Sequence, residues 1–331
     1  MTSAAGSDRA AAVAAVVVSY NAADHLDRCL QSLAANGVPR LVVVDNGSTD
    51  HSEAVARAAG ATWSSTGSNV GYGGAANQGA ASESATSLPY LLVCNPDVEL
   101  GRDSVARLAQ ALDADPRVGL AGPKLLNADG SVYPSARTFP DLVSAIGHGL
   151  LGSVAPNNRF TRRYQLLDWD HGRAARVDWV SGACFLARRD AWAAVGGFDP
   201  AYFMYMEDVD LCWRMSQAGW SVAYAPEAEA THLQGVSTNR HPYRMLAAHH
   251  RSMWRFAWRT TTGRRRAALP IVAAGLAGRL ALAILHRLVG ALRHTPPAPP
   301  RVEKAGGAGP HPDRETGPAS TTSVMRSRPV P

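Results

Sequence analysis

Leu91-Leu92-Val93-Cys94-Asn95-Pro96-Asp97-Val98 constrains the rest of the chain more than any other stretch. Four apolar residues predict a buried strand. Pro96 fixes its own φ and holds Asn95 extended, so the strand stops and Asp97 stands at the carboxyl edge of a sheet. Ligands of open α/β sheets bind at that edge. A carboxylate there suits a hard divalent cation that also takes oxygens from a substrate diphosphate. Standing alone, the same residues would read as an ordinary turn.

Two further β-branched runs, residues 13–18 and 41–44, predict buried parallel strands. The second ends in Asp45-Asn46-Gly47-Ser48-Thr49-Asp50. Gly47 allows a tight turn, and Ser48, Thr49 or Asp50 can cap a following helix. Asp45 occupies the position where a doubly wound sheet reads a nucleotide. Asn69-Val70-Gly71-Tyr72-Gly73-Gly74 then predicts a loop that lets backbone approach a ligand and aims a helix N-terminus at it. Its spacing is neither that of a dinucleotide fingerprint nor that of a P-loop.

Helical spacing covers Asp24 to Leu33 and residues 103–113, and a strand covers 118–121. Asp129-Gly130-Ser131 predicts a hairpin turn leading to Tyr133-Pro134-Ser135-Ala136-Arg137. Residues 141–176 are weakly patterned and are expected to form a partly mobile insertion over the site. From Val177 to Leu186 a strand is expected, with Gly182 at its middle marking close approach of a ligand or another backbone. Glu207-Asp208-Val209-Asp210 predicts the exposed N-terminus of a helix that then enters the core. Asp210 and Arg214, spaced i, i+4, belong to structure. Glu207 and Asp208, behind the aromatic wall Tyr202 to Tyr205, are candidate proton acceptors. His232 ends another strand and joins Asp97 as a candidate second metal ligand.

These groups together describe glycosyl transfer. A sugar nucleotide leaves a diphosphate whose developing charge a cation offsets. The acceptor hydroxyl needs a base as it attacks the anomeric carbon. One base and no protein nucleophile imply a single displacement, hence inversion. No G-x-S-x-G elbow supports hydrolysis.

The net charge of +6 conceals an asymmetry. Residues 1–239 hold 17 basic and 24 acidic groups, whereas residues 240–293 hold 11 arginines and no acid. Such a basic segment suits an anionic surface. Beyond Arg264-Arg265-Arg266 an apolar run follows, in which Arg279, His286 and Arg293 recur on one helical stripe. That pattern fits a helix lying in a bilayer interface, while Pro270, Gly275 and Gly278 count against a spanning one. The absence of Lys from this segment favours lipid over nucleic acid, so no nucleic-acid partner is expected. Cys29, Cys94, Cys184 and Cys212 have no paired spacing and are expected as reduced core residues of a cytosolic protein. Arg9 before the apolar run has the look of a signal peptide without its cleavage pattern, so a first strand is the better reading.

The ordered set VVVSYN, VVVDNGSTD, NVGYGGAAN, NPDVEL, SGACFLARR, GGFDP and YMEDVDLCWR with a later His resembles family 2 inverting glycosyltransferases. The resemblance implies the α/β GT-A fold: a mixed, mainly parallel sheet with helices on both faces, plus a C-terminal helical segment. YPSAR, YFMYMEDVDL and LAAHH resemble the branch that moves L-rhamnose from dTDP-L-rhamnose to N-acetylglucosaminyl-diphospho-polyprenol, building the arabinogalactan–peptidoglycan linker of the cell wall. It implies Asp45, Asn69 and Gly71 at the nucleotide, and Mg²⁺ or Mn²⁺ on Asp97 and His232. Asp208 would be the base, with Glu207 orienting substrate. Arg137, Trp179 and Arg251 would contact sugar or diphosphate. Asn95 replaces the first acid of the family's D-x-D, which removes a charge and makes metal binding lean on the nucleotide. Another donor sugar, galactofuranose or a deoxysugar, stays open. The expected layout is a flexible N-terminus (1–11), a catalytic domain (12–258), a basic amphipathic helix at the inner face of the membrane (259–294) and a disordered tail (295–331).

Overall fold

The structure, a computed structural model, describes residues 3–140, 158–164, 166–233 and 242–293. The first half runs α1 (Ser3–Ala11), β1 (Val13–Ser19), α2 (Ala23–Ala35), β2 (Arg40–Asp45), α3 (Ser52–Ala58), β3 (Thr62–Ser65), α4 (Tyr72–Ala80), α5 (Glu83–Thr86), β4 (Tyr90–Cys94), β5 (Val98–Leu100) and α6 (Ser104–Asp113). Then come β6 (Val118–Leu126), β7 (Val132–Tyr133), β8 (Ala136–Arg137), α7 (Arg159–Tyr164), β9 (Ala175–Val177), β10 (Trp179–Val180), β11 (Cys184–Arg188) and α8 (Arg189–Val195). The chain continues through α9 (Glu207–Gln217), β12 (Ser221–His232), α10 (Pro242–Thr260), a 3₁₀ segment (Gly263–Ala268) and α11 (Leu269–Arg293).

The main sheet has the order β3-β2-β1-β4-β11-β6-β12-β5, with β7 on β6 and β9 on β12. β1 pairs in parallel with β2 and β4, so Val16 stands beside Val42 on one side and Val93 on the other. This common register brings the ends of three strands, at Ser19, Asp45 and Cys94, to one edge. β11 runs antiparallel between β4 and β6, which brings the turn before Cys184 back to the same edge. β12 is parallel to β6, and its last residues pair with β5, so His232 lies opposite Val98.

Alternate residues of β1 face opposite layers. Val13, Ala15 and Val17 pack with Leu26, Leu30 and Leu33 of α2 and with Leu108 and Leu112 of α6. Ala14, Val16 and Val18 pack with the α4, α8 and α9 side, including Tyr72, Trp192 and Leu211. Each fully buried Leu contributes about 1.5–3 kcal/mol by leaving water. All four cysteines are buried and free.

Two expectations, on the strand from Val177 and on the cap of α3, need correction. The described part of the N-terminal segment expected to be flexible forms α1. Its small residues let it approach α6, where Arg9 Nε meets Asp113 Oδ2 at 3.0 Å and Ala10 is buried. The strand expected from Val177 to Leu186 breaks at Ser181–Ala183, because Gly182 turns its N–H to a side chain instead of a neighbouring strand. Ser48 and Thr49 do not cap α3. Ser48 Oγ accepts from the Asn21 N–H at 2.9 Å, and Asn21 Oδ1 accepts from the Thr49 N–H at 2.9 Å. Asp50 serves both helices, taking the Ala23 N–H at 3.0 Å and the Ser52 N–H at 3.2 Å. The loop therefore locks the two edge turns together.

Residues 141–157 and 165 of the insertion expected over 141–176, and the expected disordered tail, lie outside the described residues. One compact unit extends to Leu288, and Val289 begins a second whose described residues are the last turn of α11. Gly263–Leu285 is long and apolar enough to cross a membrane by length and composition, and little of it is buried.

Candidate active site

At the carboxyl edge of the sheet opens a cavity of about 390 Å³. Its floor comes from the end of β4, where Asn95, Pro96 and Asp97 leave the sheet. Asp97 is buried, and its Oδ1 lies 3.3 Å from His232 Nε2. The Asn95 amide nitrogen is 3.2 Å from the same Nε2. β5 and β12 enforce this meeting, since the Leu233 N–H donates to the Asp97 carbonyl at 3.2 Å. Two ligands held at right angles about 2.1 Å from one cation stand about 3 Å apart, so Asp97 and His232 could hold one together. Among the described residues no group of three His, Cys, Asp or Glu side chains converges as a metal cluster. The remaining ligands would be water and substrate oxygens, as a hard cation on a diphosphate prefers.

Across the cavity, α9 begins with Glu207 and Asp208. Tyr205 and Met206 before it both adopt positive φ, 66° and 67°, which costs a non-glycine residue about 1–3 kcal/mol. Packing holds them there. The Tyr205 ring lies 4.9 Å from that of His249. The Asp210 N–H donates to the Met206 carbonyl at 2.9 Å, and Ser252 Oγ donates to the Met204 carbonyl at 3.0 Å. The Tyr72 N–H donates to the Phe203 carbonyl at 3.2 Å.

The carboxylate of Asp208 is fixed at both oxygens. Oδ2 accepts from the Gly182 N–H at 2.9 Å, and Oδ1 accepts from the Val209 N–H at 2.8 Å. Burial raises its pKa, while the two N–H groups and the charge of Arg137 act against the rise. Glu207 is only 7% exposed, its Oε2 has no partner among the described residues, and burial together with the Asp208 charge pushes it up to about 8. The helix start expected to be exposed is therefore buried, with Asp210 at 0% exposure and its carboxylate bound by Arg214 Nε at 2.6 Å. Burial raises both carboxyls, and only Asp208 receives an N–H on each of its oxygens, which acts against its rise.

Arg137 lies over two rings, 5.1 Å from that of Trp179 and 5.5 Å from that of Tyr133. Trp179 is pinned by its Nε1–H to the Thr138 carbonyl at 2.9 Å. Both border the cavity, as does Asn69, whose Oδ1 accepts from the Gly71 N–H at 3.0 Å and the Asn46 Nδ2 at 3.2 Å.

Of the residues singled out from sequence, Asp97, His232, Asn69, Arg137, Trp179, Glu207 and Asp208 meet around this one cavity. Asp45 stands beside it without bordering it. Its Oδ1 takes the Ser48 N–H at 3.0 Å, and Asn46 faces the cavity in its place. Gly71 also stays off the wall. Its positive φ of 87° caps α4 and lets it press on the Phe203 backbone. Arg251 lies in a separate groove along α10. Sequence reasoning missed Tyr72, Tyr133, Arg244 and His249 as lining residues. Tyr133 could have been found, since it opens the same YPSAR run as Arg137. His249 likewise lies in the LAAHH run, whereas Arg244 carries no local signal.

The model of the glycosyltransferase like family 2 matches residues 10–257. The N-acetylglucosaminyl-diphospho-decaprenol L-rhamnosyltransferase of Mycobacterium tuberculosis is 42% identical over 254 residues, covering 73% of this chain and 82% of that protein. Among solved structures, a mycobacterial protein superposes with a TM-score of 0.51 at 18% identity, covering 77% of this chain and 78% of that one. GalNAc-T7, solved with UDP, GalNAc and Mn²⁺, superposes with a TM-score of 0.50 at 15% identity, covering 68% of this chain and 43% of that one.

Proposed function

The chain belongs to glycosyltransferase family 2 and has the GT-A fold, and from that premise we propose that it transfers L-rhamnose from dTDP-L-rhamnose to N-acetylglucosaminyl-diphospho-decaprenol with inversion. The observation that carries the reading is that Asp208 faces the same cavity as Asp97 and His232, though the three are far apart in sequence. The choice of donor and acceptor is supported by the 42% identity to the mycobacterial rhamnosyltransferase.

In this reading the acceptor hydroxyl oxygen bonds to the anomeric carbon, whose bond to the diphosphate oxygen breaks with the electron pair leaving on the nucleoside diphosphate. The hydroxyl proton passes to Asp208. A raised pKa strengthens Asp208 as a base, and the Gly182 and Val209 N–H groups hold its carboxylate in one orientation. Glu207, protonated, donates to a substrate hydroxyl. Arg137, held over the Trp179 and Tyr133 rings with its charge felt by Asp208, counters negative charge in the cavity. Asp97 and His232 would hold Mg²⁺ or Mn²⁺, which supplies charge neutralisation to the departing diphosphate.

Attachment to the cytoplasmic face of the membrane would come from Arg264, Arg265 and Arg266 with the apolar side of α11, where Ile271, Leu282 and Leu285 are exposed. Flotation with anionic vesicles tests this: replacing the three arginines by Glu should leave the protein at the bottom of the gradient. The reading itself is tested by a donor panel with purified protein and lipid-linked GlcNAc diphosphate. Transfer from dTDP-L-rhamnose is expected, and transfer only from some other sugar nucleotide would reject it.

A further inference from the structure

Beside the catalytic cavity lies a second concavity, of about 860 Å³, that the chemistry above does not use. It shares Phe203 and Arg244 with the cavity and continues along α10 past Arg251, Trp254 and Arg255 to Trp258. Arg244, Arg251, Arg255 and Trp258 follow one another at steps of seven, four and three residues, so they share one stripe of the helix. At 1.5 Å per residue that stripe is about 21 Å long.

The arginines on this helix are not equivalent. Arg255 lies 3.6 Å from Asp199 and 5.5 Å from the Tyr202 ring centre. Arg259 takes the same Asp199 at 2.7 Å and reaches Asp210 at 3.4 Å. Arg244 rests over the Phe203 ring at 5.3 Å, and among the described residues no carboxylate pairs with it. Arg251 is exposed and has no hydrogen-bond, ion-pair or ring partner among the described residues. No acidic residue occurs on α10 to compensate either of them. At the far end Trp258 is 53% exposed, 5.8 Å from Trp254 and 5.7 Å from the Arg266 guanidinium. The exposed apolar residues of α11 begin shortly after.

We infer that this groove binds the diphosphate and the first isoprenoid units of the lipid-linked acceptor, with Arg244 and Arg251 on the diphosphate and Trp254 and Trp258 along the chain. The inference rests on the sugar-transfer reading and adds to it a site for the acceptor's anchor. Reading outward from Asp208, the protein offers a sugar-sized cavity, then two uncompensated guanidiniums, then aromatic rings, then an apolar helix. The acceptor has the same order: sugar, two phosphate charges, prenyl chain, membrane. Guanidinium groups match phosphate oxygens in a bidentate fork, and two of them balance a doubly charged diphosphate diester. The rings offer flat apolar surface to a chain leaving water.

The test uses the full chain with EDTA and no sugar nucleotide, reading tryptophan quenching by farnesyl diphosphate, farnesol and inorganic diphosphate. Farnesyl diphosphate should bind at least about tenfold more tightly than either half, Arg251→Glu should weaken it by about tenfold or more, and Arg251→Lys should restore most of the loss. Equal binding of inorganic diphosphate, or full-strength binding by Arg251→Glu, overturns the groove. In transfer assays Arg251→Glu should raise the acceptor KM while kcat and the donor KM hold. Wild-type protein that binds farnesyl diphosphate through Arg251 but moves no rhamnose refutes the function and leaves the groove. Wild-type protein that moves rhamnose with an acceptor KM indifferent to Arg251→Glu does the reverse.

Discussion

The Gly182 N–H donates to Asp208 Oδ2 at 2.9 Å, and a Cβ at position 182 would stand 3.1 Å from the Asp208 Cβ. That separation is too tight to leave the carboxylate where it is. A misplacement of about 1 Å in a reacting group can lower kcat by about a hundredfold, so a shift of a few tenths of an ångström should lower it by several-fold to about tenfold. Gly182→Ala should show that loss in steady-state kinetics while melting close to wild type. Wild-type kcat would mean that the contact positions nothing.

Glu207 makes stability depend on pH in a direction opposite to a salt-bridged acid. Its pKa rises from 4.5 in the unfolded chain to about 8 in the fold, so the native state keeps a proton that the unfolded chain releases. Stability therefore falls as pH rises through that window. Glu207→Gln removes the penalty. Its Tm should match wild type near about pH 5 and exceed it by a few degrees near about pH 8. A gap that narrows with rising pH would contradict the buried neutral acid.

Asp97 and His232 should matter to the nucleotide only when metal is present. Asp97→Ala is expected to weaken nucleoside diphosphate binding by about tenfold or more in Mn²⁺ and to leave it unchanged in EDTA. Calorimetric titration in both buffers separates the two. An equal loss in both would make Asp97 a direct nucleotide contact.

Gly71 and Gly60 both have positive φ, 87° and 72°, but only Gly71 is hemmed in. A side chain there collides with the Phe203 carbonyl and comes within 2.9 Å of the Phe203 Cα, whereas at Gly60 nothing lies within 4 Å. Gly60→Ala pays only the conformational strain. Gly71→Ala should cost about 1–3 kcal/mol more, visible as a lower midpoint in urea. Equal midpoints would show that the Phe203 loop yields freely.

Much of the fold is legible in the sequence because β1, β2 and β4 are short β-branched or apolar runs with polar stops. Their parallel pairing then lines up Asp45 and Asn95 at one edge without further information. The antiparallel insertion of β11 is not legible, since Cys184–Arg188 has the same apolar character whichever way it runs. Neither is the purpose of Gly182: its partner Asp208 is 26 residues away, and a glycine announces only that something comes near. Three acids at a helix start suggest exposure, yet the Tyr202–Met206 loop folds over them and buries Glu207 and Asp210. Arg251 shares its residue type with true cavity arginines, and only the direction of α10 shows that it faces a different groove.

The account stands on Asp208 as the base of sugar transfer. The direct measurement is rhamnose transfer to lipid-linked GlcNAc diphosphate by wild-type protein and by Asp208→Asn, with dTDP binding followed on the same samples. The amide should lower kcat by about 10²–10⁴-fold and bind dTDP as wild type does. Turnover by Asp208→Asn at the wild-type rate would contradict the role.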